Sequence, residues 1–381
     1  MADLLDPPPS AARTYGPPAA SIVAPPSGAA RPESRAPAPS YRPAWWVPGA
    51  HVQTIYGKLV RRPPHAPVRA ERWDTPDGDF LDVARLDPSG PFAGRADAPR
   101  LLLLHGLEGG LQSHYVHGLF AECARRGWGM DLMLHRSCGP EMNRARRLYH
   151  SGETGDAALF IGRVAAEHPA APLALCGVSL GGNQLVKYLG ERGAPDAPDA
   201  PDGLAPVPPN VRGATAVSVP YDLARGSRHI GRGFSRVYER HFLRSLVRKA
   251  ELKLLAYPDL VDRRRLAELR TLWDFDDVLT GPLHGFRDAA DYYGRSSAIH
   301  YLAGVRVPTL LLSAADDPFL PAAVLDDVRH AAAGNPCLTV EFHPHGGHVG
   351  FVGGRDPRRP DYYAERRTME WATAHVGPPA P

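Results

Sequence analysis

Apolar residues gather along the chain in short continuous runs, each separated from the next by a segment of helical period. Arg100–Leu104 reads Arg-Leu-Leu-Leu-Leu and ends in His105-Gly106. Residues 129–135, 172–178, 213–219, 308–313 and 338–343 form further runs of the same kind. Runs this short and unbroken suit strands covered on both faces, as in a parallel sheet. Residues 113–126, 156–168, 183–191 and 322–332 have the length and period of helices. The alternation predicts a doubly wound, mostly parallel α/β domain, whose chemistry belongs at the C-terminal ends of its strands.

Two segments fall outside this pattern. Residues 1–40 are rich in Pro, Ala and Ser and poor in large apolar side chains, which predicts a disordered tail. Residues 193–210 repeat Ala-Pro-Asp and read as a low-complexity surface loop within a single domain spanning 41–377. The 381 residues include 41 Pro, about twice the usual share, concentrated in these two places. A net charge of +3, from 44 basic and 41 acidic side chains, argues against a dedicated nucleic-acid partner. Cys123, Cys138, Cys176 and Cys337 are scattered, as expected of reduced thiols. The sequence has neither a spanning apolar run nor a basic-then-apolar leader, so the expected location is cytoplasmic.

The chemistry is carried by the strand ends. Gly177-Val178-Ser179-Leu180-Gly181 follows an apolar run and precedes a helical segment. This is the context in which G-x-S-x-G places a nucleophilic serine on a strained strand-to-helix turn. Such a serine needs a base and an orienting acid, which this fold takes in the order Ser, Asp/Glu, His. Asp316-Asp317-Pro318 follows the run at 308–313, and Gly346-Gly347-His348 follows the last run. Asp317, nearer the turn, is expected to orient His348, with Asp316 bracing the loop. The backbone N–H groups of Leu180 and of Leu107, in His105-Gly106-Leu107-Glu108-Gly109-Gly110, are the expected oxyanion donors. His343 and His345 raise the question of a metal, but no supporting ligand frame accompanies them. Neither a metal nor a cofactor is expected.

Further motifs extend the pattern. They are Pro43-Ala44-Trp45-Trp46, His51-Val52-Gln53-Thr54, Arg136-Ser137-Cys138-Gly139, Asn143-Arg144 and Tyr149-His150-Ser151-Gly152-Glu153-Thr154. With Gly177 to Asn183, Asp316 to Phe319 and Gly346 to Phe351, the chain from about Pro43 to Trp371 resembles the YheT-like α/β-hydrolases. That family includes bacterial YheT proteins, plant embryogenesis-associated proteins and animal ABHD1/ABHD3-type lipases. The resemblance implies an α/β-hydrolase fold, hydrolysis of carboxylic and lipid-like esters, and Ser179, Asp317 and His348 as the triad.

The substrate is less legible. About ninety residues separate the runs at 213–219 and 308–313, the place where this fold inserts a helical lid, here about 221–300. Arginine recurs there at every fourth position from Arg228 to Arg248, with Gly231 and Gly233 weakening the early part of any helix. Two readings stand: a basic patch for an anionic head group or peripheral membrane contact, and a solvated helix face. Tyr149 and His150 either line the pocket or belong to a helix cap built on Ser151 or Thr154. His105 and Gly106 support the site, while His51 and Gln53 are expected to pin the N-terminal arm. The expected function is a serine hydrolase acting on a small-molecule ester through an acyl-enzyme. The alternatives are an acyltransferase with the same triad and a non-catalytic binding protein on the same fold.

Overall fold

A computed structural model describes residues 41–61, 66–193 and 203–377. The tail expected to be disordered and the Ala-Pro-Asp repeat lie outside the described residues. Each apolar run becomes a strand: Arg100–Leu104 (β3), Gly129–Leu134 (β4), Leu173–Val178 (β5), Val211–Val217 (β6), Thr309–Ala314 (β7) and Leu338–His343 (β8). They are preceded by Arg69–Asp74 (β1) and Phe80–Leu86 (β2). The sheet order is β1-β2-β4-β3-β5-β6-β7-β8, with β1 and β2 antiparallel and β3 to β8 parallel.

The pleat explains why the central runs are mostly apolar. Successive side chains point to opposite faces, and both faces are covered. Leu101 and Leu103 pack with residues of His114–Arg126 (α2) and the C-terminal Tyr363–Val376 helix. Leu102 and Leu104 pack with residues of Gly155–Glu167 (α3) and Leu180–Gly193 (α4). Ala50–Val60 (α1) leads into the domain.

Between β6 and β7 the chain leaves the sheet for a helical insertion. It comprises Leu223–Ile230 (α5), Arg236–Ala256 (α6), Arg263–Glu268 (α7), Leu272–Phe275 (α8), a π-helical turn at Asp276–Thr280, Gly281–Leu283 (α9) and Ala289–Ser296 (α10). The break between α5 and α6 falls at residues 231–235, where Gly231 and Gly233 stand. The insertion has an apolar cluster of its own around Leu243, Leu254, Leu266 and Phe275. Ala322–Ala332 (α11) follows β7, and Tyr363–Val376 (α12) closes the domain. Among the described residues no helix is long and apolar enough to cross a membrane.

One edge of the sheet carries the strained backbone. The described non-glycine residues with positive φ are Glu108, Ser137, Ser179, Ser218, Val349 and Phe351. Glu108, Ser137, Ser179 and Ser218 lie within four residues of the C-terminal ends of β3, β4, β5 and β6, and Val349 and Phe351 lie on the loop that follows β8. Strain of this kind persists only where the surroundings enforce it, and it collects at functional sites.

Candidate active site

Ser179 sits on the turn between β5 and α4 with φ at 55°. The flanking glycines permit the turn because nothing larger fits. A Cβ on Gly177 would stand 2.5 Å from the Gly181 carbonyl oxygen, and one on Gly181 would stand 2.3 Å from that of Leu104. Ser179 Oγ lies 2.9 Å from His348 Nε2, and His348 Nδ1 lies 2.8 Å from Asp317 Oδ2. Asp317 is fixed in turn by the Phe319 N–H, which donates to its other oxygen at 2.8 Å. The Phe319 ring stacks on the imidazole with centroids 4.0 Å apart. Asp316 points elsewhere, accepting the Gly347 N–H at 2.9 Å and lying 3.2 Å from His345 Nδ1. His345 is exposed on the loop, and His343 ends β8 beside Glu341.

The loop that carries His348 is held from α1. Thr54 Oγ1 accepts the His348 N–H at 2.9 Å, and Ser218 Oγ accepts the Val349 N–H at 3.0 Å. Gly347 has φ of 60° and lies so close to α1 that a Cβ would stand 2.4 Å from the Ala50 carbonyl oxygen. Gln53 donates to the carbonyls of Val47 and Val352 and accepts the Val352 N–H. So Gln53 ties the N-terminal arm to the histidine loop, while His51 does something else. Its Nδ1 lies 3.2 Å from the Tyr238 hydroxyl on α6, and its ring packs on Phe234.

The loop after β3 is pinned on both sides of Leu107. The Gly106 N–H donates to the Tyr115 hydroxyl at 2.9 Å, the Glu108 N–H to the Tyr149 hydroxyl at 2.9 Å, and the Gly109 N–H to the Gly106 carbonyl. Leu107 alone of these four has an N–H with no hydrogen-bond partner among the described residues. Leu180 supplies the first N–H of α4, the positive end of the helix dipole. His105 stands apart from the Ser179–His348–Asp317 line. Its Nδ1 faces the Gly106 carbonyl, its Nε2 accepts the His135 N–H, and burial next to His135 holds its pKa well below the ordinary value. Its place is to lock the β3 and β4 loops together.

Glu108 links this loop to the insertion. Its carboxylate accepts from the Tyr149 hydroxyl and from Lys249 Nζ of α6, each at 2.6 Å, and also from the Ser245 hydroxyl. The Tyr149 and His150 main chain and rings sit beneath the insertion. The His150 carbonyl accepts from Gln184, and its ring packs against His284, Phe286 and Tyr292. The cap expected from Ser151 or Thr154 is made otherwise. Thr154 has the N-cap position but its hydroxyl donates to Glu191 Oε2 at 2.7 Å rather than capping, and Glu153 Oε1 instead accepts the N–H groups of Gly155 and Asp156. A carboxylate two residues before the helix reaches the first free N–H groups more easily than the Thr154 hydroxyl does in its αR backbone.

Ser179 and His348 stand where two spaces meet. One is a cavity of about 140 Å³ under the insertion, walled by side chains such as Leu148, Leu223, Ile230, Leu246, Phe275 and Leu279. The other is a wider cleft of about 1330 Å³ that opens between α1, α6 and the Leu107 loop. Among the described residues the cavity contains one carboxyl group, Asp276, hydrogen-bonded by the Tyr293 hydroxyl at 2.6 Å. Burial pushes its pKa up to about 6, against the lowering effect of Thr280 and Tyr293. Tyr115, Thr54, Ser245, Lys249 and Asp276 were not legible as site residues in the sequence. Only Thr54 carried a signal, since it belongs to the His-x-Gln-Thr string.

The chain is similar to known proteins in sequence and in fold. The family described as "alpha/beta hydrolase fold" matches residues 99–354. The chain is 38% identical over 328 residues to "Putative esterase YheT" of Escherichia coli (strain K12), covering 86% of this chain and 91% of that protein. It is 25% identical over 326 residues to phospholipase ABHD3 of Mus musculus, covering 85% and 76% of the two chains. The solved esterase Pf2001 of Pyrococcus furiosus shares the fold with a TM-score of 0.51 at 12% identity, over 82% of this chain and 92% of that one. The chain therefore belongs to the α/β-hydrolase family, in the group that contains YheT.

Proposed function

We propose that this member of the α/β-hydrolases cleaves a carboxylic ester through an acyl-enzyme formed on Ser179. The observation that carries the reading is the continuous line from Ser179 Oγ through His348 to Asp317, at 2.9 and 2.8 Å, beside an unpartnered Leu107 N–H. Ser179 Oγ attacks the ester carbonyl while His348 Nε2 takes its proton. Negative charge then collects on the carbonyl oxygen, where the Leu107 and Leu180 N–H groups stabilise it without reorganisation. His348 returns the proton to the departing alkoxide, and water repeats the sequence to release the acid. Asp317 holds the imidazole in the tautomer that presents Nε2 to the serine.

The two spaces divide the substrate. The acyl chain enters the apolar cavity under the insertion, which acts as a lid, and the alcohol part lies in the wider cleft. Relatives named as esterase and phospholipase support an ester of this kind. The test is a series of p-nitrophenyl esters from acetate to palmitate, with wild type beside Ser179→Ala. Loss of a triad nucleophile costs ~10⁶ in rate in well-studied hydrolases, so turnover should vanish in the variant. A fluorophosphonate should label Ser179 in the wild type. Turnover that survives the substitution would overturn the proposal.

A further inference from the structure

The rim of the wider cleft has features that ester hydrolysis in solution does not require. α1 and α6 meet there, through His51 against Phe234 and Tyr238 and through Lys58 against His241. Apolar side chains stand out into solvent from both helices and from the turn that precedes α6. Leu59 is 73% exposed, Leu255 74%, Phe234 58% and Val237 53%. Around them runs the arginine series, with Arg232, Arg236, Arg240, Arg244 and Arg248 all exposed. Among the described residues none of these five makes an ion pair, and the one pair formed by α6 is Lys249 with Glu108. The acidic residues on α6 offset little of this charge. Glu239 is buried and accepts the Leu272 N–H, leaving Glu251 as the exposed carboxylate.

Helix geometry puts the two kinds of side chain on one face. At about 100° per residue, the arginines from Arg236 to Arg248 sweep an arc of roughly 120°. Val237 and Leu255 fall inside that arc. A helix with apolar side chains set among unpaired cations matches a bilayer surface, where the apolar groups enter the acyl boundary and the cations meet anionic head groups. A nucleic acid would satisfy the arginines but leave Phe234, Val237, Leu59 and Leu255 in water.

We propose that the α1–α6 rim docks on an anionic lipid bilayer and presents the cleft to esters drawn from it. Lys58, Tyr238, His241 and Phe242 line that cleft, which reaches Ser179 and His348. The purpose of docking rests on the hydrolase reading above, but the binding itself does not.

Vesicle flotation of the full chain carrying Ser179→Ala tests the binding without turnover. Vesicles of phosphatidylcholine mixed with phosphatidylglycerol should retain the protein at low salt, and vesicles of phosphatidylcholine alone should not. Adding Arg240→Glu with Arg244→Glu should lower the partition by about 30-fold or more, given what each cation contributes at such a surface. Val237→Ser with Leu255→Ser should weaken binding that persists at high salt. The same pairs in a background with Ser179 intact should hydrolyse a water-soluble acetate ester at the wild-type rate, which shows that they fold. Equal binding to both vesicle types, binding unchanged by charge reversal, no vesicle binding, or a preference for duplex DNA would each overturn the proposal. Vesicle binding by a chain that hydrolyses no ester would leave docking standing and remove the hydrolase reading. Ester turnover without vesicle binding would do the reverse.

Discussion

At the scale of single residues, the most informative side chain outside the Ser179 line is Asp276. It is a carboxyl group facing an otherwise largely apolar cavity, near Tyr292 and Tyr293 of α10. Its pKa rises from 3.8 to about 6 because burial disfavours the charge. The folded-state value therefore lies above the unfolded one, so the fold favours the protonated form. The contribution of Asp276 to stability is fully present below about pH 4, falls as pH rises, and is lost once pH passes about 6. Two pKa units correspond to roughly 3 kcal/mol. Asp276→Asn should accordingly be more stable than wild type at pH 8 by up to about 3 kcal/mol, and equal to it near pH 4. Thermal midpoints across that range measure the difference, and parallel curves for the two proteins would refute the assignment. The same charge faces any acyl chain in the cavity. The ratio of kcat/KM for a long ester to that for a short one should fall through about pH 6 in wild type and stay level in the variant. Taking a ratio cancels the titration of groups that serve both substrates.

Elements differ in how openly the sequence declares them, and the reason is burial. β3 to β7 are covered on both faces over most of their length, so most of their residues are apolar in succession and the runs stand out. β1 reads Arg-Ala-Glu-Arg-Trp-Asp and buries only Trp73 at the sheet edge, so it has no comparable signal. The Ser179 turn and the order of Asp317 and His348 were readable because local sterics and chain order dictate them. The Tyr115, Tyr149 and Lys249 contacts to the Leu107 loop were not, because they join residues 9 to 141 positions apart. Those contacts suggest how α6 and the Leu107 loop act together. Glu108 has positive φ and is held by Tyr149 and, from the insertion, by Ser245 and Lys249, so α6 braces the loop that carries Leu107. Glu108→Gln and Lys249→Gln should each lower kcat by about 10- to 100-fold with KM nearly constant, since misdirecting a donor is felt in the transition state. The double variant should be little worse than either single one. Additive losses, or an effect on KM alone, would show that the contact is not a positioning link.

Across the whole molecule, the strained backbone and one deeply buried charge cluster lie towards opposite ends of the sheet. The residues with positive φ crowd the C-terminal strand ends around Ser179. Towards the other end, Asp131 on β4 lies fully buried between Arg85 of β2 and Arg100 of β3, at 2.6 and 2.8 Å. These three strands are neighbours, and Asp131 is in register with Arg85 on one side and with Leu102 on the other. Arg85 continues outward to Glu167 at the end of α3 and to Glu71 of β1. The cluster thus ties the antiparallel edge to the parallel centre at a point remote from the site. Asp131→Ala would leave two buried guanidinium groups without their shared carboxylate, a loss of about 3–5 kcal/mol in comparable buried pairs. Replacing all three residues by Leu or Met should recover much of that loss, because the desolvation of all three charges disappears with them. Chemical denaturation of the two variants measures the difference, and kcat for a soluble ester should match wild type wherever the protein is folded. A loss below about 1 kcal/mol in Asp131→Ala would mean that water reaches the guanidinium groups and the cluster is ordinary surface electrostatics. A fall in kcat at full folding would mean that the two ends of the sheet are coupled, and that the strained edge depends on the register this cluster sets.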